Sequence, residues 1–231
     1  SVFHFHIFYT NNLVLYNLFL VKVLFGKVVV TIHDVHSFTA NQKSLLVQNL
    51  IYRLMDLILT HNKFSKLEIQ KLKLDLTSDI HIVPHGNYLP FLKDPLNKCK
   101  SRDFLKISKE KKVVLFFGMI KKVKGLEILL RSLKNVILKH PDIFLVIAGK
   151  VWKNDFSLYQ EIIDKEGLKE YCLIHNKFIN QDDVAYYYAS ADLVVLPYKR
   201  IYQSGVLMMA LSYERPVLVS DLPPLKEVIN D

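Results

Sequence analysis

The chain has 231 residues, of which 51% are hydrophobic and 23% charged. Domains usually run about 100–200 residues, so this length holds one large or two small globular domains with an apolar core. The net charge of +9 favours anionic partners, but no helix-turn-helix, zinc-finger or basic-zipper signature is present, which argues against duplex-DNA binding. Cys99 and Cys172 match no metal or redox spacing, there is no HExxH or paired CxxC, and no metal site is expected. A reducing cytoplasm is the expected compartment. No basic region precedes the first apolar stretch, so it does not read as a signal peptide. Asn11, Asn12 and Asn17 interrupt the uncharged run Ile7–Val21, which is too short for a membrane span of about 20 apolar residues. Both ends are abrupt, and the chain reads as a fragment.

Short β-branched runs mark strands, and apolar residues at i, i+3, i+4 and i+7 mark helices. In chain order the first half gives a strand at Val2–Phe8, a helix at Leu13–Phe25 stopped by Gly26, and a buried strand at Lys27–Ile32. A helix at Ser44–Met55, a strand at Leu57–Thr60, a helix at Ser65–Leu74 and a strand at Ile80–Val83 follow. Residues 91–110 are polar, carry Pro95 and have no clean period, so they read as a linker. The expected domains are therefore 1–95, a linker at 96–110, and 111–231.

The second half restarts the alternation. Strands are expected at Val113–Phe117, Ile143–Ala148, Tyr171–His175, Leu193–Leu196 and Val217–Ser220. Helices are expected at Leu126–Leu138, Phe156–Glu166, Gln181–Ala189 (capped by Asn180) and Ser204–Tyr213, with a last one from Leu225. Strand–helix alternation with strands apolar on both faces predicts an α/β fold of two parallel sheets covered by helices, with ligands beyond the strands' carboxyl ends.

Three features carry chemistry. The loop Gly118–Gly125 leaves a strand and enters a helix; Gly118 permits close backbone approach and Lys124 can reach a phosphate. Its spacing is not that of a P-loop. Ser204 is a good helix cap, and Gly205 and Val206 leave first-turn N–H groups open, which makes a second anion-binding turn. His33, in Thr31-Ile32-His33-Asp34-Val35-His36, follows a buried strand and is a candidate base or hydrogen-bonding group.

The order of these pieces resembles the family 4 retaining glycosyltransferases of the GT-B fold. KVVVTIHDVHSF is similar to that family's first-domain strand and histidine loop, MDLILTHNKFSKLEI to its strand and serine-capped helix, and IHIVPHGNY to the element before its linker. VVLFFGMIKKVKGLEILL resembles the strand and Lys-Gly loop that receive the donor diphosphate. ADLVVLPYKRIYQSGVLMMALSYERPVLVSDLPPLKEVI resembles the donor-site helix and following strand.

The resemblance implies a nucleotide-sugar donor (UDP- or GDP-linked) held by Gly118, Lys124, Ser204, Gly205 and Val206, with His33 near the reacting sugar and no metal or other cofactor. It implies transfer with retention to a saccharide or lipid-linked acceptor in cell-surface polysaccharide or glycoconjugate synthesis, by a cytoplasmic protein with peripheral contact at the inner face of the membrane. The sequence departs from the family at three positions: Met119 replaces the usual Arg, and Ile201 and Met209 stand where two glutamates are common. Glu214 is out of register. A non-catalytic GT-B-like binding protein is the alternative, and a nucleotide-sugar epimerase of related fold a weaker one.

Overall fold

The computed structural model describes residues 1–8, 10–35, 45–72, 78–92, 96–153 and 155–229. The expected helix start at Ser44, the end of the next helix at Leu74 and the domain boundary at residue 95 lie outside them, as does His36. Contacts divide the chain into two units. Unit 1 comprises Ser1–His85, Ile201–Gln203 and Asp221–Asp231, and unit 2 comprises Gly86–Arg200 and Ser204–Ser220.

Unit 1 is a four-stranded parallel sheet in the order β1-β2-β3-β4, made of β1 (Val2–Ile7), β2 (Lys27–Ile32), β3 (Leu57–Thr60) and β4 (Ile80–Ile82). The helices α1 (Asn12–Val23), α2 (Leu45–Arg53) and α3 (Lys63–Lys71) connect them. Val28, Val30 and Ile58 of the sheet pack with Leu18, Ile51, Tyr52 and Ile69 of the helices, because β2 and β3 are covered and β-branched.

Two helix ends differ from expectation. The side chain of Asn62, not Ser65, caps α3 by accepting from Ser65 N at 2.7 Å, so the helix starts two residues early. At the end of α1 the left-handed residue is Phe25 (φ +57°), not Gly26. Glycine serves a different need at 26: a Cβ there would lie 2.6 Å from Val21 Cγ1.

Unit 2 is a five-stranded parallel sheet in the order β7-β6-β5-β8-β9. Its strands are β5 (Lys112–Phe117), β6 (Ile143–Ala148), β7 (Cys172–His175), β8 (Leu193–Leu196) and β9 (Val217–Val219). Its helices are α4 (Lys98–Leu105), α5 (Leu126–Lys139), α6 (Ser157–Lys165), α7 (Gln181–Ser190) and α8 (Gly205–Ser212). In α5, Leu126, Leu130, Leu133 and Ile137 recur at helical spacing, and all four are buried. Asn180 stands at the start of α7 but makes no side-chain capping bond. The last helix, α9 (Pro223–Lys226), lies in unit 1, so the C-terminal stretch does not stay with the domain expected from 111 to 231. There the Glu227 carboxylate accepts from Lys63 N and Phe64 N, both at 2.7 Å, and closes the first turn of α3.

The expected linker at 96–110 contains α4, which packs on α7 within unit 2. The apolar period is weak because α4 buries Ser101 and Arg102 beside Leu105. The guanidinium of Arg102 donates to Asp192 Oδ2 at 2.7 Å, to Lys109 O at 2.6 Å and to Ser190 O at 3.2 Å. Asp192 also accepts from Val113 N at 2.7 Å and pairs with Lys98. Arg102→Met leaves the carbonyls of Ser190 and Lys109 without their donor and Asp192 with one cation fewer, so it should destabilise unit 2 by about 3 kcal/mol. Urea unfolding checks this; a change within ~0.5 kcal/mol would mean the pair is idle.

Candidate functional site

In unit 2 the strand order places β5 centrally, with the chain winding to β6 and β7 on one side and to β8 and β9 on the other. The switch point lies between β5 and β8, where open α/β sheets leave a crevice at the strands' carboxyl ends. The two loops that leave these strands are Gly118–Gly125 and Pro197–Ser204.

The backbone brings those loops together. Gly118 has φ +92°, and a Cβ there would meet Val206 Cγ2 at 3.0 Å and Lys124 Nζ at 3.3 Å. Gly118, Lys124 and Val206, three of the residues the sequence assigns to a donor site, therefore converge on one point. Beneath them Gly149 (φ +147°) sits so near Gly118 that a Cβ would lie 2.1 Å from Gly118 O. Gly125 (φ +66°) lies against the β8 exit, where a Cβ would be 1.9 Å from Pro197 O. Lys199 N donates to Val123 O at 2.8 Å and ties the loops again. Residues 122–124 form a single 3-10 turn, which carries Lys124 back over Gly118.

Lys124 has no carboxylate partner among the described residues. Its Nζ lies 5.4 Å from the centre of the Tyr198 ring. Burial, and secondarily the charge of Lys121, lower its pKa to about 8. A half-buried ammonium with no carboxylate partner among the described residues suits an anion. Tyr198 is 3% exposed and shares a hydrogen bond with the Ser204 side chain; burial raises its pKa to about 12, so the phenol stays neutral. Ser204 caps α8 by accepting from Leu207 N at 3.1 Å, which leaves the first-turn N–H groups of Gly205 and Val206 without helical partners. Met119 is 42% exposed and supplies no charge. Glu214 is exposed in the turn after α8.

A cavity of about 600 Å³ lies beside α8, lined by Tyr88, Phe91, Gln181, Asp182, Met209 and Tyr213 among others. Met209, one of the positions where the resemblance leads one to expect an acid, is on its wall. Buried Tyr188 stacks on Tyr213 with ring centres 5.0 Å apart, behind that wall.

In unit 1, His33 follows β2, its N–H bonded to Ile7 O at 2.9 Å. It does not stand alone. His33 Nε2 faces His6 Nδ1 at 2.8 Å, and His33 Nδ1 faces His61 Nε2 at 3.3 Å and the Gln203 amide at 2.5 Å. Phe8 stacks on the ring at 4.5 Å, and His61 reaches Val83 O through Nδ1 at 2.9 Å. Burial first, then the charges of His61, His6, His85 and His4, lower the His33 pKa to about 4, so the ring is neutral at physiological pH. No group of three or more metal-ligating side chains suited to an ion is found among the described residues. The sequence reading missed Gly149, Tyr198, His6, His61 and Gln203. Its own rule, that function gathers at the carboxyl ends of parallel strands, points to His6, His61, Gly149 and Tyr198 when applied to every strand rather than to three loops.

Comparison with known proteins bears on the fold and the family. The GDP-mannose:glycolipid 4-beta-D-mannosyltransferase of Xanthomonas campestris is 32% identical over 105 residues, 46% of this chain and 29% of that protein. Among solved structures, Anabaena HepE in complex with UDP superposes with a TM-score of 0.80 at 18% identity, covering 94% of this chain and 60% of that one. Sucrose-phosphate synthase from Thermosynechococcus elongatus gives 0.79 at 16% identity, covering 99% and 58%. The chain thus spans 22% to 33% of the curated relatives it matches, and the structural likenesses establish a GT-B fold. Residues 97–231 match the model described as Glycosyl transferases group 1, and the chain belongs to that family.

Proposed function

We propose that unit 2 binds the diphosphate of a nucleotide sugar and that the protein transfers the sugar, with retention, to a saccharide or lipid-linked acceptor. The observation that carries this is the convergence at the switch point of the sheet of Gly118, Val206 and the Lys124 ammonium, which has no carboxylate partner among the described residues. As the bond between sugar and phosphate breaks, negative charge grows on the leaving diphosphate. Lys124 and the N–H groups of Gly205 and Val206 are fixed in advance where they stabilise it, and no metal ion is required by this scheme. HepE was solved in complex with UDP and the mannosyltransferase is named for GDP-mannose, so UDP- and GDP-sugars are the first donors to test. For His33 we propose a role toward the reacting sugar or its acceptor, and for the whole protein a place in cell-surface polysaccharide or glycoconjugate synthesis.

No helix among the described residues is long and apolar enough to cross a membrane. A lipid-linked acceptor would bring the protein to the cytoplasmic face of a membrane as a peripheral visitor. Sedimentation with anionic vesicles tests this; absence of enrichment over neutral vesicles speaks against it.

Met119, Ile201 and Met209 favour a second reading, in which the protein binds donors without turning them over. Incubation with UDP-, GDP- and ADP-sugars separates the two. Release of nucleotide diphosphate with an acceptor present supports transfer, and binding without release supports the second reading. A bound donor at a hundredfold excess over Kd should stabilise the fold by about 2.7 kcal/mol. A thermal scan showing no shift with any donor would overturn both.

A further inference from the structure

In unit 2 the exits of β5 and β6 stay paired beyond the strand ends. Ile120 and Val151 form a parallel bridge, and Ile120 N donates to Lys150 O and Trp152 N to Ile120 O, both at 3.0 Å. Val151 N donates to Asn176 Oδ1 at 3.0 Å, which ties in the exit of β7. This hydrogen-bonded ribbon fixes the backbone at Trp152, yet the residue is 41% exposed. It is the only tryptophan in the chain. A large ring on a fixed frame, open to solvent at the carboxyl edge of a parallel sheet, is a preformed platform for a ligand.

Two ammonium groups gather at that ring, Lys121 Nζ at 5.4 Å and Lys153 Nζ at 5.6 Å from its centre. Neither has a carboxylate partner among the described residues. Lys153 reaches the ring from left-handed backbone (φ +57°), a conformation that a residue with a side chain adopts at a cost. The charge of Lys121 also lowers the pKa of Lys124, so these cations form one row from the Gly118 loop to Trp152. Like charges brought to one ring repel, and the attraction of an exposed π face for each is weak. An anion at the ring's edge relieves both.

We propose that Trp152, Lys121 and Lys153 bind an anionic saccharide, a sugar unit that carries a carboxylate or a phosphate, as part of the acceptor chain. Calling this chain the acceptor rests on the transferase reading above; the binding itself does not. The less polar C–H face of a pyranose ring covers the indole. The two ammonium groups turn from the ring to the anionic substituent, which pairs with a cation more strongly than an exposed π face does. A neutral sugar would use the indole and leave both cations unpaired, and a stacked nucleobase would do the same. The net charge of +9 favours the anionic partner as well.

Trp152 reports on its own site, because no other tryptophan adds to the emission. The full chain is titrated with a glucuronate trisaccharide, a phosphorylated glucose trisaccharide, a neutral glucose trisaccharide and UDP. At least one anionic trisaccharide should change the emission saturably, about 10-fold tighter than the neutral one, and should weaken as salt is added. Lys121→Gln and Lys153→Gln should each weaken that binding by up to about five-fold, the range of one exposed ion pair. Equal affinity for charged and neutral trisaccharides, or no saturable change with any of them, overturns the proposal. So does competition between UDP and the anionic trisaccharide, which would make Trp152 part of the donor's own site. If the anionic trisaccharide binds as expected but the native protein transfers no sugar, the transferase reading fails and the saccharide site stands.

Discussion

Lys124→Ala is expected to weaken binding of a nucleoside diphosphate by about 10- to 150-fold, the equivalent of losing one hydrogen bond to a charged group at roughly 1.5–3 kcal/mol. The effect should fall on the diphosphate and be nearly absent for the free nucleoside, because the lysine ends at Gly118 and Val206. Lys124→Arg should restore little. The guanidinium is larger, and the lysine end already lies 3.3 Å from where a Gly118 Cβ would stand. Calorimetric titration with UDP and GDP measures all three.

The same lysine gives the site a pH signature with two opposite signs. In the free protein its pKa is lowered from 10.5 to about 8 by burial. An ammonium is needed for the anion, and the anion raises the pKa in the complex. Affinity should therefore be level below about pH 7 and weaken as pH rises past 8. Over that range the diphosphate stays ionised, since phosphate titrates near 6. Stability of the unliganded protein should move the other way. Between about 8 and 10.5 the unfolded chain holds the proton that the folded site has shed, so Lys124 makes unfolding harder as pH rises. Lys124→Ala should remove both trends. Affinity that is flat from pH 7 to 9.5 in the native protein would mean that Lys124 does not meet the anion.

Much of this was legible in the chain because the informative residues are locally determined. Lys27–Ile32, Leu57–Thr60, Ile143–Ala148 and Leu193–Leu196 have the strand bounds read from the sequence, since buried parallel strands are uninterrupted apolar runs. Ser204 caps α8 as expected because a cap depends on three neighbouring residues. What failed depends on partners distant in sequence. Helix α4 was read as linker because it buries Arg102, whose satisfaction by Asp192 is 90 residues away. Gly149 looked like an ordinary strand end, and its purpose is visible only when Gly118 O is beside it. His33 was found from its place after a strand, but its row needed the register of β1 on β2, where His6 sits opposite Thr31.

Gly149→Ala should be one of the most damaging small changes in unit 2. The new methyl carbon would begin 2.1 Å from Gly118 O and 2.6 Å from Gly118 C, both backbone atoms that no rotamer change can move. At φ +147° the residue also occupies backbone space that L side chains rarely adopt. Steric strain and conformational strain add, and about 3–4 kcal/mol of destabilisation is expected. Gly167→Ala is the matched control. It too has positive φ (+67°), but nothing lies within 4 Å of its Cβ, so only the backbone term of about 1 kcal/mol remains. The difference between the two variants in urea unfolding isolates the contact with Gly118. The contact also has a functional side. Any relaxation of that clash pushes Gly118 away from β6, toward Val206 and Lys124, into the space where the diphosphate is proposed to sit. Gly149→Ala should therefore lose diphosphate affinity even at a temperature where it remains folded, whereas Gly167→Ala should keep it. Equal affinities in the two folded variants would show that the Gly118 loop does not hold the ligand.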